Sequence, residues 1–296
     1  MSAVASAAAP TFAGSVGATD ETTGAERIRA AFAAAANEGR AAFVPYVVAG
    51  YPDPDGAFAA ALAAIDAGAD LLEVGLPYSD PLADGATLQR ASRAALRAGA
   101  TLDASLTLVA RIVAARPATP IVPMGYANQL IGGGDGSALA RRLHDVGVAG
   151  LIVADLTPDE GGPFEPVAAR NGLAVVYLVA PTTPPDRRAA IARRSGGFLY
   201  CVSLVGVTGA RTALERNVRQ LIRDVRAVSP VPVAVGFGVS RPRHVRALAA
   251  AGADGVVVAS ALIDALGPDG RDVDGFARLA GSLRAATARP SRTGPQ

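Results

Sequence analysis

The sequence predicts an α/β fold in which eight parallel strands alternate with helices. Eight short apolar runs recur along the chain, at 43–50, 71–77, 120–126, 150–156, 173–180, 198–204, 232–238 and 255–260. Helix-sized segments rich in Ala, Leu and Arg separate most of them, a pattern typical of a parallel sheet covered on its outer face. Eight such units match a closed barrel, whose usual size is about 250 residues. We therefore predict a (β/α)8 TIM barrel with an extra N-terminal helix.

A weak internal repeat supports the barrel. Segments 66–75, 145–154 and 250–259 each combine a helix end, a Gly cap and a buried strand. The alternative is an open doubly wound sheet, which favours fewer strands and a Gly-rich fingerprint after the first strand. The segment AGYPDPDG at that position is not such a fingerprint.

The composition of the chain ends predicts the domain boundaries. Residues 1–24 are expected to be a disordered leader, residues 25–288 the catalytic barrel, and residues 289–296 a disordered tail. The extra helix is predicted from Ala25 to Gly39, which would cap it. No basic residue precedes Arg27, which argues against a signal or transit peptide. No apolar run reaches the roughly 18 residues of a membrane span.

The net charge and the few possible metal-ligating side chains exclude several classes of function. The net charge is only +2 and no basic run is interleaved with aromatic residues, so we expect no nucleic-acid partner. All 28 basic residues are Arg, which excludes a Schiff-base mechanism. Only Cys201, His144 and His244 could be soft or borderline metal ligands, so we expect neither metal nor cofactor. The single Cys suits a reducing cytoplasm.

Glu73 is the one carboxylate inside the second apolar run. Strand alternation places it opposite Leu72, Val74 and Leu76, so it projects into the barrel if those three residues face the helices. Burial would raise the pKa of Glu73, which suits a group that donates and accepts protons near neutral pH. The alternative is a structural Glu paired with an Arg across the barrel.

Asp84 follows eleven residues later, on a loop that could fold over the mouth of the barrel. Two carboxylates at one site can divide into an acid/base and a charge stabiliser. The alternative is that Asp84 caps the helix that starts near Thr87.

Turns at three adjacent strand ends indicate a phosphate site. They are the Gly-rich 206–209 and 236–238 and the pair Ala259-Ser260. Barrels often hold a phosphate between the loops after strands 7 and 8 and a helix N-terminus, where backbone N–H groups converge. Each turn alone is also compatible with ordinary turn chemistry.

The absence of Lys and of a predicted metal site narrows the chemistry. The two familiar routes of carbon–carbon cleavage need a Lys imine or a metal to hold the developing charge. What remains is a substrate that carries its own electron sink, so that carboxylates and a Tyr need only move protons. A phosphorylated substrate with a proton-accepting aromatic ring fits this requirement.

Six segments together resemble the tryptophan synthase alpha chain family. They are FVPYVVAGYP (43–52), LEVGLPYSDPLADG (72–85), MGYANQL (124–130), LIVADLTPDE (151–160), LYCVSLVGVTG (199–209) and VAVGFGVS (233–240). The resemblance covers about Ala25 to Ala285. It implies a cytoplasmic lyase of tryptophan biosynthesis that cleaves indole-3-glycerol phosphate to indole and glyceraldehyde 3-phosphate. It also implies an alpha2beta2 heterotetramer in which the beta chain receives the indole.

The resemblance assigns catalytic roles to Glu73, Asp84 and Tyr200. Glu73 would protonate the indole ring carbon and manage the side-chain hydroxyl proton, Asp84 would hold the indole N–H, and Tyr200 would line the site. The other implied roles are an indole pocket (Tyr46, Met124 and Tyr126), a phosphate site (Gly209, Gly238, Ala259 and Ser260), a closing loop (Thr208) and a beta-chain contact (Pro77, Asp80 and Pro81).

Four positions depart from the family pattern. Ala86 stands where a Pro is usual, which should loosen the loop that carries Asp84. Thr157 replaces a Pro and Val205 a small or polar residue, which bears on partner contact and loop closure. Ala259 replaces a Gly beside the phosphate, which is tolerable if its φ is negative.

Two other functions remain open at the level of sequence. One is a stand-alone lyase that releases indole without a beta chain. The other is a weakly catalytic regulatory subunit that binds ligand and signals to a partner. Indole release with and without a beta chain would separate all three.

Overall fold

One parallel sheet forms the centre of the fold. The computed structural model describes residues 22–132, 134–202, 211–236 and 238–289. Within these ranges the sheet has nine strands: β1 Ala42–Val48, β2 Leu72–Gly75, β3 Ile121–Gly125, β4 Gly150–Val153, β5 Ala174–Val176, β6 Leu178–Val179, β7 Leu199–Val202, β8 Val233–Gly236 and β9 Gly255–Val258. Their order is β5-β4-β3-β2-β1-β9-β8-β7-β6. Because β5 and β6 are consecutive in the chain, the two edges meet and the sheet closes into a barrel.

The predicted (β/α)8 barrel is confirmed, with one change in its fifth strand. The run 173–180 forms two short strands separated by Tyr177. The Tyr177 N–H donates to the Ser195 hydroxyl at 3.0 Å, and its carbonyl accepts from the Tyr200 N–H at 3.0 Å. β5 pairs with β4, whereas β6 pairs with β7. The interruption is therefore the point of closure, and the open-sheet alternative is excluded.

Several strands end earlier than the apolar runs predict. β2 ends at Gly75 and β4 at Val153, whereas the runs continue to 77 and 156. The extra apolar residues begin the loops at the C-terminal mouth of the barrel. Residues 203–204 and Phe237, which belong to the sixth and seventh predicted runs, lie outside the described residues.

Helices cover the outer face of the barrel. In the described ranges they are α1 Gly24–Asn37, α2 Pro54–Asp66, α3 Ala86–Arg97, α4 Leu102–Ala115, α5 Ala127–Leu130, α6 Ser137–Val146, α7 Pro158–Gly161, α8 Glu165–Arg170, α9 Pro185–Arg194, α10 Arg211–Val228, α11 Pro242–Ala250, α12 Ser260–Ala265 and α13 Val273–Ala285. The predicted N-terminal helix is α1. Thr23 and Glu26 form a capping box at its start, which satisfies backbone N–H groups of the first turn.

The internal repeat has a common backbone geometry. Gly68, Gly147 and Gly252 follow α2, α6 and α11 with φ of 95°, 83° and 97°. This left-handed conformation turns the chain from a helix end into the next buried strand and favours glycine. The sequence repeat therefore reports a repeated turn between helix and strand.

The predicted leader and tail fall almost wholly outside the described residues and remain predictions. Thr23 caps α1 and Gly24 begins it. In the described part of the chain, no single helix is long and apolar enough to cross a membrane; α3 and α4 pass that test only as a pair bent by 106°.

An ion pair between buried Arg40 and partly buried Asp70 lies at the base of the barrel, at the end opposite the predicted site. The Arg40 guanidinium donates to both carboxylate oxygens of Asp70, at 2.6 and 2.8 Å, and to Glu38 at 2.7 Å. Asp70 also accepts from the Phe43 N–H at 2.8 Å. The C-terminal segment joins this region, because the Ala41 N–H donates to the Thr287 carbonyl at 3.0 Å.

Asp70→Asn is expected to lower the free energy of unfolding by about 3 kcal/mol, because it leaves the buried Arg40 charge without its main partner. Urea unfolding monitored by circular dichroism measures the change. Asp55→Asn is the matched control: Asp55 pairs with Arg111 at 3.1 Å but is 87% exposed, so its loss should cost less than about 1 kcal/mol. Equal losses in the two variants would contradict this role of Arg40.

Candidate active site

A cavity of about 150 Å³ opens at the C-terminal ends of the strands. Residues from several strands, from the loop after β2 and from the start of α12 meet there. The lining residues are Tyr46, Glu73, Asp84, Gly85, Leu88, Met124, Tyr200, Gly238, Val239, Val257, Ala259 and Ser260. Eight of the residues predicted for the site therefore meet in one cavity.

Strand register explains why residues distant in sequence meet. Tyr46 on β1 lies beside Glu73 on β2, and Gly75 on β2 lies beside Met124 on β3. Paired residues of neighbouring parallel strands point to the same face of the sheet. Because Tyr46, Glu73 and Met124 all line the cavity, Leu72 and Val74 on the opposite face of β2 pack outward, and Glu73 projects inward as predicted.

Glu73 is a buried carboxylate without an ion-pair partner among the described residues. It is 1% exposed, and its Oε2 atom accepts no hydrogen bond in that part of the chain. Burial raises its pKa to about 8, and the nearby Asp84 charge adds to the shift. Nothing in the described ranges supports the alternative of a structural Glu paired with an Arg. Glu73 is thus protonated at neutral pH and able to donate a proton.

Asp84 faces the same cavity from the loop between β2 and α3. It does not cap α3, because the N-cap is Gly85 and no side chain makes a capping hydrogen bond there. Its Oδ1 atom is buried and has no hydrogen-bond partner in the described residues. Burial raises the pKa of Asp84 to about 6, while the Tyr126 hydroxyl acts in the opposite direction. At neutral pH the site therefore combines a neutral Glu73 with an ionised Asp84.

Two buried tyrosines complete the polar part of the cavity. Burial raises the pKa of both Tyr46 and Tyr200 well above the ordinary value, and the two carboxylates add to the effect, so both phenols stay neutral. Glycines make room for their hydroxyls: a Cβ atom on Gly75 would lie 1.7 Å from the Tyr46 Oη, and one on Gly236 would lie 2.5 Å from the Tyr200 Oη. Larger residues at these two strand positions would displace the phenols.

The apolar wall of the cavity includes three residues that were not predicted from the sequence. Leu88 comes from the first turn of α3, Val257 from β9 and Val239 from the turn after β8. Strand alternation could have indicated Val257, since it lies two residues before Ala259 and therefore points to the same side of the sheet. Leu88 and Val239 lie outside strands, so no alternation pattern marked them.

The predicted phosphate residues occupy another part of the lining. Gly238 has a φ of 72°, and Ala259 and Ser260 lie at the start of α12. The φ of Ala259 is −116°, so an alanine fits at the position where the resemblance predicts a glycine. Thr208, Gly209 and Val205 lie outside the described residues, so their predicted roles remain predictions.

The other predicted site residues lie beside the cavity rather than in its lining. Tyr126 stacks on Tyr78 with ring centroids 5.0 Å apart. In the loop after β2, Pro77 and Pro81 are buried and Asp80 is exposed. The described residues contain no group of three or more His, Cys, Asp or Glu side chains that could hold a metal ion.

Comparison with known proteins identifies the family. A family model described as tryptophan synthase alpha chain matches residues 32–284. The chain belongs to the tryptophan synthase alpha chain family. It is 46% identical over 240 residues to the tryptophan synthase alpha chain of Gloeobacter violaceus, covering 81% of this chain and 86% of that one. It is 43% identical over 267 residues to that of Chloroflexus aurantiacus, covering 89% and 99%.

Solved structures of the family share the barrel. A chain of Mycobacterium tuberculosis tryptophan synthase superposes with a TM-score of 0.81 at 38% identity, covering 89% of this chain and 99% of that one. The tryptophan synthase alpha chain of Legionella pneumophila superposes with a TM-score of 0.80 at 30% identity, covering 90% and 99%. The tryptophan synthase alpha fold thus extends over nearly the whole described chain.

Relative to the wild-type chain, Glu73→Gln is expected to raise the free energy of unfolding, and the difference should grow as pH rises. The pKa of Glu73 rises from 4.5 to about 8 on folding, so between these values the folded chain holds a proton that the unfolded chain releases. The free energy of unfolding of the wild-type chain then falls with rising pH, by at most about 1.4 kcal/mol per pH unit. The Gln variant avoids this loss. Urea unfolding of both proteins from about pH 5 to about pH 8 tests this. A difference that stays constant with pH would contradict it.

Proposed function

We propose that this chain cleaves indole-3-glycerol phosphate to indole and glyceraldehyde 3-phosphate, with Glu73 and Asp84 as the two working carboxylates. The observation that carries the assignment is the pair itself. Both side chains enter one cavity, each has a buried oxygen without a hydrogen-bond partner in the described chain, and burial raises both pKa values. Such a pair suits proton transfer to and from a bound substrate.

Protonated Glu73 would start the reaction by giving its proton to the indole ring carbon that bears the side chain. The ring then carries a positive charge and becomes the electron sink. The Glu73 carboxylate takes the proton of the neighbouring side-chain hydroxyl, the carbon–carbon bond breaks, and its electron pair returns to the ring. The aldehyde and indole leave, and Glu73 is protonated again.

Ionised Asp84 would accept a hydrogen bond from the indole N–H and stabilise the positive charge of the protonated ring.

The apolar side chains of Met124, Leu88 and Val257 suit the faces of the ring. Gly238, Ala259 and Ser260 suit the phosphate, which backbone N–H groups at a turn and at the start of α12 would hold. Tyr46 and Tyr200 would line the reacting centre as neutral hydroxyls.

Glu73→Gln is expected to lower the rate of indole release by about 10²–10⁴, because general acid–base catalysis has that typical magnitude. Gln keeps the shape and loses the transferable proton, so substrate should still bind. Glu26→Gln in the exposed capping box of α1 is the matched control, and its rate should equal the wild-type rate. If Glu73→Gln stays within about threefold of wild type with substrate bound, Glu73 is not the acid/base.

The same proposal includes a tryptophan synthase beta chain as partner, in an alpha2beta2 assembly in the cytoplasm. The single cysteine, Cys201, is buried and suits a reducing compartment. The loop after β2 supports the partner surface: Asp80 is exposed, and next to Pro81 the side chain of Leu82 is 93% exposed. An exposed large apolar side chain beside the active-site mouth suits a protein contact.

Indole release is expected to rise at least about tenfold when the purified chain is mixed with a beta chain, because contact at this loop would order the Asp84 side of the site. A steady-state indole assay with and without the beta chain measures the effect. Leu82→Asp should weaken the stimulation and leave the rate without partner unchanged. Full activity of the chain alone would favour a stand-alone lyase, and no activity under either condition a regulatory subunit.

A further inference from the structure

Two hydrogen bonds join the loop between β2 and α3 to the segment that follows β3. At its start, the Gln129 side-chain amide donates to the Pro77 carbonyl at 2.8 Å. At its end, the Ala83 N–H donates to the Tyr126 hydroxyl at 3.1 Å. We call Tyr126 and Gln129 the clasp. Its two bonds lie at the two ends of the loop that carries Asp84.

Further contacts hold the middle of the loop against the same segment. The Tyr78 ring stacks on the Tyr126 ring, and the Asn128 amide donates to the Tyr78 hydroxyl at 3.2 Å. The ring stack gives Tyr126 a fixed position, so that its hydroxyl can define the position of Ala83. Asp84 is the next residue in the chain, and the bond at Ala83 therefore limits where its carboxylate can lie.

The chemistry of Gln129 indicates a role beyond packing. Its Oε1 atom is buried and has no hydrogen-bond partner in the described chain. A buried unpaired acceptor costs stability, and an apolar side chain would avoid that cost. What the apolar side chain could not supply is the N–H donor that holds the Pro77 carbonyl.

We propose that Tyr126 and Gln129 are positioning residues for Asp84, holding both ends of its loop so that the carboxylate faces the substrate. This inference rests on the role given to Asp84 under the proposed function. It also bears on Ala86, which begins α3 where the resemblance predicts a proline. With a more flexible residue at the start of α3, the clasp supplies order that the backbone lacks. Gln129 acts through the loop alone, whereas the Tyr126 hydroxyl also lowers the pKa of Asp84 directly; neither residue lines the cavity.

The experiment compares Gln129→Leu and Tyr126→Phe in the wild-type chain and in an Asp84→Asn background. Each clasp variant removes one hydrogen bond and nearly preserves shape. Gln220→Leu, on the exposed face of α10, is the matched control. Thermal unfolding reports whether each variant folds, and Gln129→Leu should melt within about 3 °C of wild type because it also removes the unpaired oxygen.

In the wild-type chain, each clasp variant is expected to lower kcat/KM for indole release by roughly three- to tenfold, the effect of one neutral hydrogen bond. In the Asp84→Asn background the same substitutions should have little further effect, because the group they position is gone. Gln220→Leu should change neither rate.

The pH profile supplies a second readout. Turnover needs an ionised Asp84, so activity is lost as pH falls through its pKa. Tyr126→Phe removes a hydroxyl that lowers that pKa, and the acid limb should move to higher pH. If Asp84→Asn has no measurable turnover, the acid limb of Tyr126→Phe decides the question. A limb that moves to higher pH shows that Tyr126 acts on Asp84, and an unmoved limb is what a general packing role would give.

Three outcomes would overturn an assignment. Losses that persist undiminished in the Asp84→Asn background show that the clasp does not act through Asp84. Clasp variants with wild-type kcat/KM and an unmoved acid limb show that the clasp does not position Asp84. If Asp84→Asn itself is harmless, the role of Asp84 in the proposed function fails, and this result is distinct from a failure of the clasp alone.

Discussion

Desolvation of two neighbouring carboxylates is the constraint on which the active site depends. Glu73 and Asp84 share one cavity, and each keeps a buried oxygen without a partner among the described residues. In water both would be ionised at neutral pH; in the barrel mouth burial raises their pKa values to about 8 and about 6. One is then an acid and the other an anion, which is the division of labour that a ring-protonation mechanism needs.

The rest of the barrel keeps that arrangement in place. Neutral Tyr46 and Tyr200 fill space beside the carboxylates without supplying a positive charge that would lower the pKa of Glu73. Gly75 and Gly236 are needed because the phenol oxygens lie where their Cβ atoms would be. At the opposite end, the Arg40–Asp70 pair joins the base of the barrel. Stability and reactivity are thus assigned to opposite ends of the same strands.

The loop after β2 connects the site with the surface. Its inner side is bonded to the segment after β3, at Pro77 and Ala83. Its outer side presents the exposed side chains of Asp80 and Leu82. A partner that binds the outer side would therefore act on the same loop that carries Asp84. This arrangement gives a physical route by which association could change the rate of cleavage.

The sequence by itself determined the barrel and the inward direction of Glu73, and it predicted the kind of chemistry. The alternation of apolar runs with helices predicts the fold, and strand alternation orients Glu73. The lack of Lys and of a predicted metal site favours proton transfer by carboxylates. Only the tertiary structure decided that Asp84 is not a helix cap, that Leu88 and Val239 line the cavity and that Tyr126 lies beside it. Those outcomes depend on how loops cross the barrel mouth. They follow from contacts between residues far apart in sequence, such as Tyr126 with Ala83, which no local pattern encodes.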